Sequence, residues 1–72
     1  MTHRQGTTVK WNWGQGTGEG TIVEVHTEKV TRTISGSEIT RNGSKETPAY
    51  LIEQSDGQRV LKLDSEVERA SG

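Results

Sequence analysis

A chain of 72 residues without a single cysteine holds one domain, and neither disulfides nor thiol chemistry can support it. Nine basic residues nearly cancel ten acidic ones, and the net charge of −1 lacks the basic excess of a nucleic-acid binder. Thirteen Val, Ile and Leu residues with no Phe, about 18% of the chain, make a thin core. Such a core leaves little volume for an internal pocket, so any site belongs on a rim, a groove or a loop.

In chain order, Met1 to Gln5 reads as a frayed polar tail, residues 6–69 as the single domain, and 70–72 as a flexible C-terminus. Val9, Trp11 and Trp13 alternate with Lys10 and Asn12, the period-two signature of a half-buried strand. A barrel this small can hardly hold two indoles, so Trp11 is expected inside and Trp13 at an open rim; the alternative is that both Trp are core and Tyr50 is a packing residue. Glycine then recurs at every second position from Gly14 to Gly20, which chain entropy suggests is a mobile connection. From Thr21 to Thr27 a strand resumes, with Val23 and Val25 inward, Glu24 and His26 outward, and Ile22 sharing the outward parity.

Glu28 to Glu46 is polar and threonine-rich, with Val30, Ile34 and Ile39 as its few apolar residues. It is expected to form a protruding two-stranded arm turning at Ser35-Gly36-Ser37. Next comes AYLIEQSDGQRVLKL (49–63), two apolar-rich runs flanking Asp56-Gly57, the dipeptide suited to a two-residue type I′ hairpin turn. With that loop, opposing residue numbers sum to 113. Tyr50, Ile52 and Gln54 then face Leu63, Leu61 and Arg59 on the buried side, leaving Leu51–Lys62 and Glu53–Val60 on a more polar face. Ser65-Glu66-Val67-Glu68 has capping-box spacing for a short helical turn, with a brief final strand through Val67 as the alternative. Four or five short antiparallel strands with glycine turns describe a small SH3-like barrel, closed because an open edge invites aggregation.

Motifs for chemistry are sparse. The glycine run is no dinucleotide fingerprint, because Glu19 stands where the third glycine belongs and a strand follows instead of a helix. His3 and His26 share no metal-ligand spacing with an acidic cluster. Glu24 and His26 face the same way, but no nucleophile or third group completes an acid–base set. The reading is therefore non-enzymatic, with no cofactor. Neither a charged-then-apolar leader nor a run of about 18 apolar residues occurs, which points to a soluble, cytoplasmic protein without membrane attachment.

KWNWG, GTIVEVHTEKVTRTISGSEITRNGS and PAYLIEQSDGQRVLKLDSEVE together resemble the hypervirulence-associated protein TUDOR domain family, from about Gly6 to Glu68. The resemblance implies a Tudor-type, SH3-like barrel and brings no established catalytic activity. The Tudor label also implies an aromatic cage that reads methyl-lysine or methyl-arginine by cation–π attraction. Such cages take about three or four aromatics, and this chain has Trp11, Trp13 and Tyr50.

The expected function is a binding or interaction module for a peptide or protein partner. Its expected site is a shallow rim groove formed by Trp13 and Tyr50, with Arg32 or Arg41 from the arm supplying charge. The alternatives are a site for a small phosphorylated or dinucleotide ligand, made by Arg32, Arg41 and the glycine run, and self-association through the arm.

Overall fold

A computed structural model describes residues 2–70. Met1, Ser71 and Gly72 lie outside the described residues, and with them the ends of the two expected flexible termini. Seven strands form in order: β1 (Thr8–Trp13), β2 (Gly16–His26), β3 (Lys29–Ile34), β4 (Ser37–Asn42), β5 (Ala49–Glu53), β6 (Arg59–Leu63) and β7 (Glu68–Arg69). A 3-10 turn, Asp64–Glu66, stands between β6 and β7. Five strands make one antiparallel sheet in the order β6-β5-β2-β1-β7, and β3 and β4 make a second. The architecture is all-β and of the small SH3-like barrel type, with the two-stranded arm where the polar segment predicts it. No helix among the described residues is long and apolar enough to cross a membrane.

The glycine run is not a connection. Gly16, Gly18 and Gly20 belong to β2 and lie opposite Trp13, Trp11 and Val9. A Cβ at Gly18 would come within 2.5 Å of the Trp11 ring. Gly18 therefore leaves the space that the Trp11 indole occupies across the strand, and Gly20 leaves space for Glu53 O and Ile52. The only residues outside the ladder are Gly14, at φ +46°, and Gln15, which make the two-residue turn.

β2 carries a bulge between Ile22 and Glu24, so two residues of β2 stand against one step of β5. The extra residue inverts the expected parity. Ile22 is buried against Val9, Trp11, Tyr50 and Ile52, whereas Val25 is 38% exposed. Val23 turns to the other side of the sheet, beside Leu51.

The β5–β6 register is 112 and not 113: Val60 stands opposite Ile52, Leu61 opposite Leu51 and Lys62 opposite Tyr50. Gln54 N donates to Gln58 O (2.7 Å) and Gly57 N to Gln54 O (2.9 Å), closing a loop of Ser55, Asp56 and Gly57. Gly57 alone takes a positive φ of +87°, the geometry of a three-residue hairpin loop with a bulged glycine. The Asp56 carboxylate accepts the Gln58 N–H at 3.0 Å and fixes that choice.

The shift also removes the expected polar face. Ala49 and Leu51 are as buried as Tyr50 and Ile52, so β5 is buried on both faces. Tyr50 and Ile52 join Val9, Trp11 and Ile22 in one cluster, completed by Val60 and Val67. Ala49, Leu51 and Leu61 join Val30 of the arm in a second, with Ile34 and Ile39 at its margin. The arm thus covers the other side of β5. Its turn at Ser35 and Gly36, at φ +52° and +79°, is the type I′ hairpin that two consecutive positive φ values define.

At the C-terminal end a short helical turn forms at Asp64–Glu66, and the brief final strand begins only at Glu68, past Val67. The Ser65 spacing does not cap the turn; the Glu66 carboxylate instead accepts the Leu63 N–H at 2.9 Å. β7 then pairs with Val9 and Lys10.

Candidate functional site

Tyr50 is the pivot of the first cluster and is fully buried. Its hydroxyl donates to Asp64 Oδ1 at 2.7 Å and accepts the His3 N–H at 2.8 Å. His3, within the segment read as a frayed tail, lies with its ring centroid 5.9 Å from that of Tyr50. Burial first, and then the neighbouring Asp64 carboxylate, push the Tyr50 phenol up to about 12 against the opposing effect of the His3 N–H. A folded-state value raised above 10.0 means that the neutral phenol stabilises the fold fully below pH 10 and that this contribution is lost between about 10 and 12. Because Tyr50 is the chain's single tyrosine, tyrosinate absorbance followed during an alkaline titration reads it directly. The expected result is no ionisation at pH 10, then ionisation together with loss of tryptophan near-UV ellipticity as the pH approaches 12.

Arg32 and Arg41 are committed elsewhere. Arg32 Nε and Nη2 donate to Glu24 Oε1 at 3.1 and 2.9 Å, and His26 Nε2 lies 2.7 Å from the same oxygen. A carboxylate accepts only, so that imidazole nitrogen carries the proton. The His26 hydrogen bond, followed by Arg32, holds the Glu24 carboxyl below its ordinary value despite partial burial. This cluster ties the arm to β2. Arg41 Nη1 donates to Thr40 O at 3.0 Å, and its Nε is 3.6 Å from Glu66.

The four residues expected to share a groove therefore do not converge. Trp13 pairs with Gly16 at one end of β2, whereas Tyr50 pairs with Val25 near the other. Neither arginine lines the space beside Trp13. Trp11 is 5% exposed and Trp13 is 61% exposed, so one indole fills the core and the other stands in solvent. No three-sided aromatic cage forms, because Tyr50 is enclosed and its hydroxyl already paired.

The structure instead offers an open groove of about 1070 Å3 between the β1–β2 hairpin and the β5–β6 turn. Trp11, Trp13, Gly18 and Val60 line its apolar part, and Glu53 and Asp56 stand on its polar margin. The contribution of residues 53–60 was not legible in the sequence, because a register of 113 assigns Val60 to the polar face. The shared spacing of glycines and tryptophans was the signal that β1 and β2 form one continuous groove wall.

A small all-β barrel with one exposed indole fits many families, and the family comparison decides among them. The model described as "Hypervirulence associated proteins TUDOR domain" matches residues 6–67. The chain belongs to this family. The match spans all of β1 to β6 and the 3-10 turn, so the TUDOR domain is essentially the whole described chain. Tudor-type domains are in general non-catalytic binding modules. No curated protein and no solved structure matches the chain.

Proposed function

We propose that this TUDOR domain is a non-catalytic interaction module that takes a peptide segment of a protein partner in the groove beside Trp13. The observation that carries the reading is the 61% exposure of Trp13 in a chain with so few large apolar residues to spare. An exposed indole beside an apolar groove costs solubility and contributes nothing to the core, while tryptophan is the side chain most often dominant in protein interfaces. The phosphate-ligand reading finds no such support, since both arginines are ion-paired and Gly16 and Gly18 lie against indoles.

Selection of binders from a displayed peptide library tests the proposal. Trp13→Ala should weaken the selected peptides by about 30-fold or more, the loss of roughly 2 kcal/mol typical of a dominant interface residue. Arg32→Ala should leave them nearly unchanged. Equal binding by wild type and Trp13→Ala would overturn the proposal.

A further inference from the structure

β2 is longer than the strands beside it. Its pairing with β5 begins at Thr21, opposite Glu53, and among the described residues no strand pairs with the same edge over 16–20. The direction of the backbone groups on that edge follows from the ladder. Ile22 N donates to Thr7 O at 2.9 Å and Gly6 N donates to Ile22 O at 2.8 Å, so Ile22 turns both polar groups toward β1. In an antiparallel strand this direction alternates. Gly20, Gly18 and Gly16 therefore also turn theirs toward β1, and Thr17 and Glu19 turn theirs outward to the unpaired edge. That edge borders the groove, whose lining includes both residues.

Side chains divide just as regularly. An added strand would set alternate residues over Trp11, Trp13 and the glycines on one face, and against Thr17 and Glu19 on the other. The polar face already carries an alternating row of charge across the sheet: Glu68 opposite Lys10, and Lys10 opposite Glu19. Lys10 is spent on Glu68 at 3.7 Å. Glu19 makes no ion pair among the described residues. The next position in that row, on an added strand, calls for a cation. Glu53 lies along the same line, since it opposes Thr21 just before the edge becomes free.

We propose that the free edge of β2 at Thr17–Glu19 takes an extended partner segment as an added strand, with apolar and cationic residues alternating and a lysine or arginine opposite Glu19. Main-chain hydrogen bonds would supply affinity and the two faces specificity. A second copy of the chain fits less well: its own free β2 edge presents Thr17 and Glu19, neither of which is a cation. This inference rests on the binding-module reading and adds the class of segment bound.

The test uses the full chain, labelled for amide spectroscopy, and a short capped peptide of alternating valine and lysine, with a valine–glutamate peptide as the counterpart. The valine–lysine peptide should shift the amides of Thr17 and Glu19. Thr17→Pro removes one outward N–H without touching a bond to β1, a substitution that edge strands accept. It should weaken binding roughly tenfold, as should Glu19→Lys, which reverses the charge. Glu19→Lys should also gain binding of the valine–glutamate peptide, a result that does not depend on the proline variant folding. Shifts confined to residues 59–63, equal binding of the two peptides, no binding at millimolar concentration, or concentration-dependent shifts of the same amides without peptide would each overturn strand addition. Library-selected peptides that need Trp13 but bind Thr17→Pro unchanged would leave the interaction module standing and remove the edge pairing alone.

Discussion

Ile52→Ala is expected to destabilise the protein by about 2–5 kcal/mol, the range for emptying a fully buried branched aliphatic site. Ile52 is 0% exposed and packs with Val9, Trp11, Ile22 and Tyr50. Its cross-strand neighbours are Ile22 on β2 and Val60 on β6. The cavity would therefore open at the crossing of three strands, where no neighbour can move without breaking a ladder. A chain of this size has a total stability of roughly 4–11 kcal/mol, so the variant should be largely unfolded or close to it. Urea unfolding followed by tryptophan fluorescence measures the loss. A midpoint close to wild type would mean that Ile52 is not at the centre of the core.

The three glycines of β2 should respond to alanine in graded fashion. At Gly20 the new Cβ would lie 2.7 Å from both Glu53 O and Ile52 Cγ2, and at Gly18 it would lie 2.5 Å from the Trp11 ring. The first clash includes backbone and the second a buried indole, neither of which yields cheaply. Each variant should lose about 1–3 kcal/mol, the usual cost of overpacking. At Gly16 the nearest atom, Trp13 Cζ2, is 3.5 Å away, an ordinary contact with an exposed ring. Gly16→Ala should therefore stay within about 0.5 kcal/mol of wild type. Thermal melts of the three variants compare them directly. A uniformly mild series would return these glycines to the role of flexible connector.

That contrast shows what was legible in the sequence and what was not. The strands of β1 and of the β5–β6 hairpin followed from alternation and from Asp56-Gly57, and the arm from its polar composition and its turn at Ser35-Gly36. The register did not follow, because Asp56-Gly57 serves both a two-residue loop with two positive φ values and a three-residue loop with one. The hydrogen bond from Gln58 N to the Asp56 side chain decides between them, and nothing in the spacing encodes it. The uninterrupted run Ala49-Tyr50-Leu51-Ile52 did carry a warning. Four consecutive apolar residues suit a strand buried on both faces better than one with a wet side, which is where β5 lies. The bulge at Val23 left no comparable mark, so the fates of Ile22 and Val25 were exchanged. At the site, the exposure of Trp13 followed from the small volume of the core. Its distance from Tyr50 depended on β2 running unbroken through the glycines, which composition argued against.

Whether the ligand face lies at the Trp13 end of β2 can be read from the two indole N–H resonances and the backbone amides during titration with a library-selected peptide. The Trp13 indole and the amides of residues 16–20 and 53–58 should move together, while those around Tyr50 and the Arg32–Glu24 pair stay in place. Movement confined to the arm or to the Tyr50 end, with the Trp13 indole unchanged, would contradict that placement.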